Sequence, residues 1–172
     1  MQHNIYILED IKSKFAWDKT PLIDECLTLA SRQSSSIDIK RFDKLVKIIH
    51  DSGSFSNDVH YDLYEISFAL NGIGLWYFLP KMLHALLSGD LNDDVPLVDA
   101  LNFHLDMEKY DFYRFRDLRE YCSHEQQMAL GYYLIYALDV FAETYEERQT
   151  LYYASSFFFC GKPKFDLTKP KQ

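Results

Sequence analysis

Cysteine, glycine and long hydrophobic runs are all scarce in this chain, and each scarcity closes off a class of protein. Three cysteines, Cys26, Cys122 and Cys160, are odd in number and widely spaced, with no Cys-x-x-Cys pair. They define neither a disulfide framework nor a zinc knuckle. The 6 glycines include Gly72 and Gly74, but "GIG" lacks the third glycine and the flanking strand of a dinucleotide-binding turn. No P-loop and no Gly-x-Ser-x-Gly nucleophile elbow occurs. The longest uncharged run, Ile66 to Pro80, is 15 residues, against the roughly 20 apolar residues of a membrane-crossing helix. Acidic residues interrupt the start, "MQHNIYILEDIKSKF", where a signal peptide needs an apolar stretch. A soluble, cytoplasmic protein is expected.

Basic residues are missing from the middle. Residues 1–50 hold 8 Lys/Arg against 7 Asp/Glu, residues 51–160 hold 6 against 18, and residues 161–172 hold 4 against 1. A segment of net −12 repels phosphate backbones, which argues against nucleic acid as a ligand. It steers a basic protein partner toward itself, although such acidity also serves solubility alone. The last residues, 162–172, read as a flexible basic tail.

With 48% apolar residues in 172, the chain can build one sizeable core, so 1–172 is read as a single domain. Its 13 Tyr and 13 Phe fill that core or, for surface tyrosines, supply interface anchors. Thr20-Pro21 reads as a helix start, followed by Leu22, Ile23, Cys26, Leu27 and Ala30 at helical spacing. "SRQSSS" (31–36) is a loop. Ile39, Phe42, Leu45, Val46 and Ile49 mark an amphipathic helix closed by "DSGSFSND" (51–58). Residues 59–70 alternate like a strand over Val59, Tyr61 and Leu63. They also fit a helical face, which the absence of a second strand favours. Asn71 caps the next helix. Within it, Gly72, Gly74 and Pro80 predict a short first turn, a break near Leu79 and a second segment to Leu87, kinked for packing. "SGDLNDDVP" (88–96) is an acidic loop, and Pro96 opens a helix through Leu97, Val98, Leu101 and Leu105. Ser123 and Gln126 form a capping box. The helix from Met128 through Leu138 is apolar nearly all round and expected to be central, with Gly131 at a close backbone contact. A last aromatic segment, "LYYASSFFFC", stops at Gly161 and Pro163. The fold class is all-α: an irregular bundle of about six to eight helices.

Ser67-Phe68, Tyr77-Phe78-Leu79-Pro80, "LVDALNFHL" (97–105), Phe115-x-x-Leu118 and Ser123-His124-Glu125-Gln126 follow one another between about Asp62 and Leu138. In this order they resemble a family of small uncharacterised bacterial all-helical domain proteins. That family carries Ser/Thr-Pro-Glu where this chain has Asn71-Gly72, so the helix start is less well specified here. The resemblance implies a shared fold and no known activity. Small acidic proteins of this kind look like immunity proteins that accompany bacterial toxins.

No motif carries chemistry. No two of His60, His84, His104 and His124 sit three or four apart, as a helical metal site needs. His104, in an apolar helix, needs a hydrogen-bond partner. Cys122 and His124 are too generic a pair for a nucleophile, and Asp93-Asp94 lacks further oxygen ligands for a cation. No metal, cofactor or catalytic residue is therefore assigned, and the chain is read as a non-enzymatic binding protein. The partner is a basic protein, in the immunity reading a toxin domain, with neither nucleic acid nor membrane involved. Candidate contacts are Asp90, Asp93, Asp94, Asp106, Glu108, Tyr110, Asp111, Tyr113, Glu143, Tyr145 and Glu146, where carboxylates steer and tyrosines anchor. A structural or regulatory adaptor is the alternative, and an enzyme of unrecognised type a third.

Overall fold

The computed structural model describes residues 2–15, 17, 19, 21–28, 36–91 and 112–160. Thr20, most of "SRQSSS", the helix expected after Pro96 with His104, the stop at Gly161 and the basic tail lie outside the described residues. Within them the fold is all-α. Eight α-helices are described: α1 (Gln2–Lys14), α2 (Ile23–Cys26), α3 (Ser36–Ser52), α4 (His60–Ala69), α5 (Gly72–Ser88), α6 (Phe112–Tyr121), α7 (His124–Phe141) and α8 (Tyr145–Cys160). A 3-10 turn, Asn57–Val59, leads into α4, so residues 60–69 are helical, as the lack of a strand partner suggests. Among the described residues no helix is long and apolar enough to cross a membrane.

The core is organised around α5. Tyr77, Phe78, Leu79, Met82, Leu83 and Ala85 are buried, and Phe78 meets the rings of Phe42 from α3 and Phe55 edge-on and stacked, respectively. Such ring pairs contribute about 0.5–1.5 kcal/mol each beyond the area they bury. The expected break near Leu79 does not occur: α5 runs unbroken through Pro80. Proline removes the donor to the Trp76 carbonyl. One residue on, the buried Lys81 ammonium donates to the Tyr77 carbonyl at 2.9 Å. Packing on every side holds the two halves in line.

The predicted helix after Pro21 is also shorter than its periodicity suggests. Only one turn forms, because Cys26, Leu27 and Thr28 turn their backbone toward residues 69–71. Thr28 N–H donates to Ala69 O (2.9 Å), Asn71 N–H donates to Cys26 O (2.8 Å), and Leu27 bridges Leu70 in antiparallel fashion. Asn71 then serves both sides of the junction. Its Oδ1 accepts from the N–H groups of Ile73 and Gly74, capping α5, while its Nδ2 donates to Glu25 O and Leu27 O. The helix start is therefore strongly specified, contrary to the expectation drawn from the missing Ser/Thr-Pro-Glu. Gly74 is required by the same junction, since a Cβ there would overlap the Cys26 carbonyl oxygen.

Ser123 Oγ accepts from Gln126 N–H, and Gln126 Oε1 accepts from Ser123 N–H, completing the capping box of α7. Gln126 also reaches α1 and α5: its Nε2 donates to Lys14 O (2.7 Å), and Trp76 Nε1 donates to its Oε1 (3.2 Å). Helix α7 is not buried all round. Ala129, Leu130, Tyr133, Leu134 and Ala137 face inward, while Tyr132, Ile135 and Val140 are exposed. The close contact at Gly131 is made by a side chain and not a backbone. A Cβ there would come within 2.6 Å of the Phe159 ring, and Ser155 Oγ donates to Gly131 O.

Asn71→Ala deletes one cap and strands two carbonyls, so it is expected to cost about 2–4 kcal/mol. A surface cap removal such as Ser123→Ala should cost about 1 kcal/mol. Urea midpoints of the two variants, compared with the parent, check the ranking. Equal losses would show that Asn71 acts only as a cap.

Candidate functional site: an acidic, tyrosine-bearing hairpin

Helices α7 and α8 form an antiparallel hairpin joined by Ala142, Glu143 and Thr144. Residues 124–160 contain six tyrosines and five carboxylates but a single basic residue, Arg148. Arg148 Nε donates to the Ala142 carbonyl, which closes the turn. The turn itself is built by a second capping box. Thr144 Oγ1 accepts from Glu147 N–H, and Glu147 Oε2 accepts from the N–H groups of Thr144 and Glu143. The Thr144 N–H, aided by the Glu143 N–H and the Thr144 hydroxyl, holds the Glu147 carboxyl below its ordinary range against the opposing effect of burial. Glu147 is thus committed to the backbone, whereas Glu143 and Glu146 are exposed and make no ion pair with any described residue.

The outer side of the hairpin is aromatic. Tyr132 (60% exposed) and Ile135 (40%) lie one helical turn apart on α7. Tyr145 (76%) and Tyr152 (52%) lie two turns apart on α8. The two stripes meet where the Tyr132 ring contacts the Phe159 ring edge-on, with centroids 5.1 Å apart. The inward residues of α8, Leu151, Ala154, Ser155 and Phe158, take up the opposite side.

Of the residues singled out from sequence, Glu143, Tyr145 and Glu146 fall together at the tip of this hairpin. Asp90 falls elsewhere, just past the end of α5. Its carboxylate accepts from Ser54 Oγ (2.8 Å) and Ser88 Oγ (2.7 Å). Partial burial pushes its carboxyl up, but the Ser88 and Ser54 hydroxyls, with His84 and Lys12, hold it below its ordinary value. Asp90 therefore ties the α3–α4 loop to the end of α5. Tyr113 lies in α6. Asp93, Asp94, Asp106, Glu108, Tyr110 and Asp111 lie outside the described residues. Tyr132, Ile135 and Tyr152 were absent from that set. Their signal was weak, because a helix apolar nearly all round does not announce which stripe faces out.

A second cluster is internal. Lys81, only 1% exposed, lies over the Tyr77 ring (3.7 Å) and near the Trp17 ring (4.9 Å). Lys12 approaches the same indole (5.7 Å), whose Nε1–H donates to Gly53 O. His84 meets Trp17 edge-on, and its buried Nδ1 has no hydrogen-bond partner among the described residues. Burial, helped by Lys12 and opposed by Asp90, pushes His84 down to about 4. Such an arrangement pins α1, the α3–α4 loop and α5 together with cation–π contacts. Between α2 and α3 an open groove of about 320 Å³ is lined by Leu22, Ile23, Phe42 and Val46 together with Asp43 and Lys47.

Burial pushes the Cys122 thiol up to about 12, partly offset by Arg119, so Cys122 presents no thiolate at neutral pH. Among the described residues no three His, Cys, Asp or Glu side chains gather to hold a metal ion. Comparison with family models, with curated proteins and with solved structures finds no match to this chain.

The His84 environment predicts acid sensitivity. The unfolded chain binds a proton near the ordinary value of 6.5, the folded chain only near 4. Stability from this group is thus complete above about pH 6.5 and lost as pH falls toward 4, by up to about 3 kcal/mol. In His84→Leu that slope should flatten. Urea unfolding at several pH values measures it, and an unchanged slope would assign the acid sensitivity to other groups.

Proposed function

We propose that this chain is a non-enzymatic binding protein that neutralises a basic protein partner, as an immunity protein neutralises its cognate bacterial toxin. The observation that carries this reading is the α7–α8 hairpin: exposed tyrosines beside unpaired carboxylates, with its one arginine turned to its own backbone. Aromatic side chains dominate the affinity of protein interfaces, and exposed charge of one sign dominates the rate of encounter. The acidic, tyrosine-rich surface thus supplies both.

The division of labour gives a kinetic expectation. Association with a toxin domain encoded beside its gene should slow at least severalfold between about 50 and about 200 mM salt, because screening tightens as the Debye length shrinks. The dissociation rate should depend much less on salt. Biosensor kinetics, together with a test of whether co-expression relieves toxicity, decide the matter. Salt-independent association or no protection would overturn the immunity reading.

A further inference from the structure

We infer that the docking face is the outer side of the α7–α8 hairpin, and that it fits an arginine-rich surface of the partner. This inference rests on the binding reading above and specifies where and through what chemistry it operates. Three observations converge. Tyr132, Ile135, Tyr145 and Tyr152 form exposed stripes joined across the helix seam by Phe159. Glu143 and Glu146 stand at the tip, unneutralised, while the third carboxylate of the turn is consumed by the capping box. No lysine occurs anywhere in residues 124–160.

Charge complementarity selects a cationic occupant, and the tyrosines select among cations. A guanidinium is planar, weakly hydrated and able to stack on a phenol face while pairing with a carboxylate. An ammonium is a compact, strongly hydrated point charge and gains less from the ring. A face that carries phenols along its helices and carboxylates at its tip therefore discriminates in favour of arginine. A lipid surface would instead demand cations on this face. A second copy of the chain would set like charges against one another.

The test uses the full ¹⁵N-labelled chain titrated with octa-arginine and, separately, octa-lysine at about 50 mM salt. Amide shifts are expected to concentrate on residues 131–152, with octa-arginine about fivefold tighter than octa-lysine. Tyr132→Ala combined with Tyr145→Ala should reduce that preference to about twofold or less. Glu143→Gln with Glu146→Gln should weaken both peptides about equally. Shifts centred outside the hairpin would overturn the inference while leaving acid-driven binding intact, and the parent chain alone suffices for that measurement. Equal affinity for the two peptides would overturn the arginine preference. No saturable shift with either peptide would overturn both the inference and the binding reading.

Discussion

The side chain of Asn71 joins two stretches of backbone that sequence separates by more than 40 residues. It satisfies two donors at the start of α5 and two acceptors at the end of α2, the carbonyls of Glu25 and Leu27. Only a carboxamide offers both functions in one planar group, and asparagine is the carboxamide short enough to cap its own helix; aspartate would only accept, and serine would reach only one side. Helix α5 is the centre of the core, so its starting point sets where Phe78, Met82 and Leu86 fall relative to α3 and α1. Arg114 from α6 reinforces the junction by donating to the carbonyls of Ser67, Phe68 and Leu70 at the end of α4. The junction therefore acts as a clamp on which α2, α4, α5 and α6 all depend.

Much of this architecture is legible in the chain itself. Asn71 and Ser123-x-x-Gln126 announce their helices, and the apolar periodicity of residues 39–49 matches the buried Phe42, Leu45 and Ile49. Features set by distant neighbours are not legible. The periodicity after Pro21 would continue a helix, but residues 26–28 gain better partners in residues 69–71. Pro80 predicts a break, but dense packing overrides a local cost of about 3 kcal/mol. Lys81 looks like a surface charge in sequence and is instead sealed against two aromatic rings. At the hairpin, "AETYEE" reads as a uniform acidic stretch. The Thr144-x-x-Glu147 spacing nevertheless marks a capping box and separates the carboxylate that builds the turn from those left over.

The same separation holds for acids on other described helices. Two cations of α3 face α4: Arg41 meets Asp62 and Glu65 as well as Asp38 of its own helix, and Lys44 meets Asp62 at 2.5 Å. Lys14 meets Asp10 and Glu125, and Arg116 meets Asp117 and Glu120. Most of these pairs are at least partly exposed, so each contributes at most about 1 kcal/mol. Their larger consequence is to determine where the net charge appears. Acids in α4 and α6 are answered by neighbouring bases, whereas Glu143 and Glu146 are not.

The same economy explains why an aromatic face stays exposed at all. Helix α8 packs along α7 through Ser155 and Phe159 at Gly131, a contact close enough that the hairpin behaves as one ridge. One side of that ridge covers the core with Leu130, Leu134, Leu151 and Phe158. The other presents phenols, which tolerate water through their hydroxyls while keeping a large apolar ring available. Leucine or phenylalanine on that stripe would invite nonspecific association, and lysine would cancel the field of the tip. Tyrosine beside glutamate avoids both, leaving a face of the kind that the proposed arginine-rich surface requires.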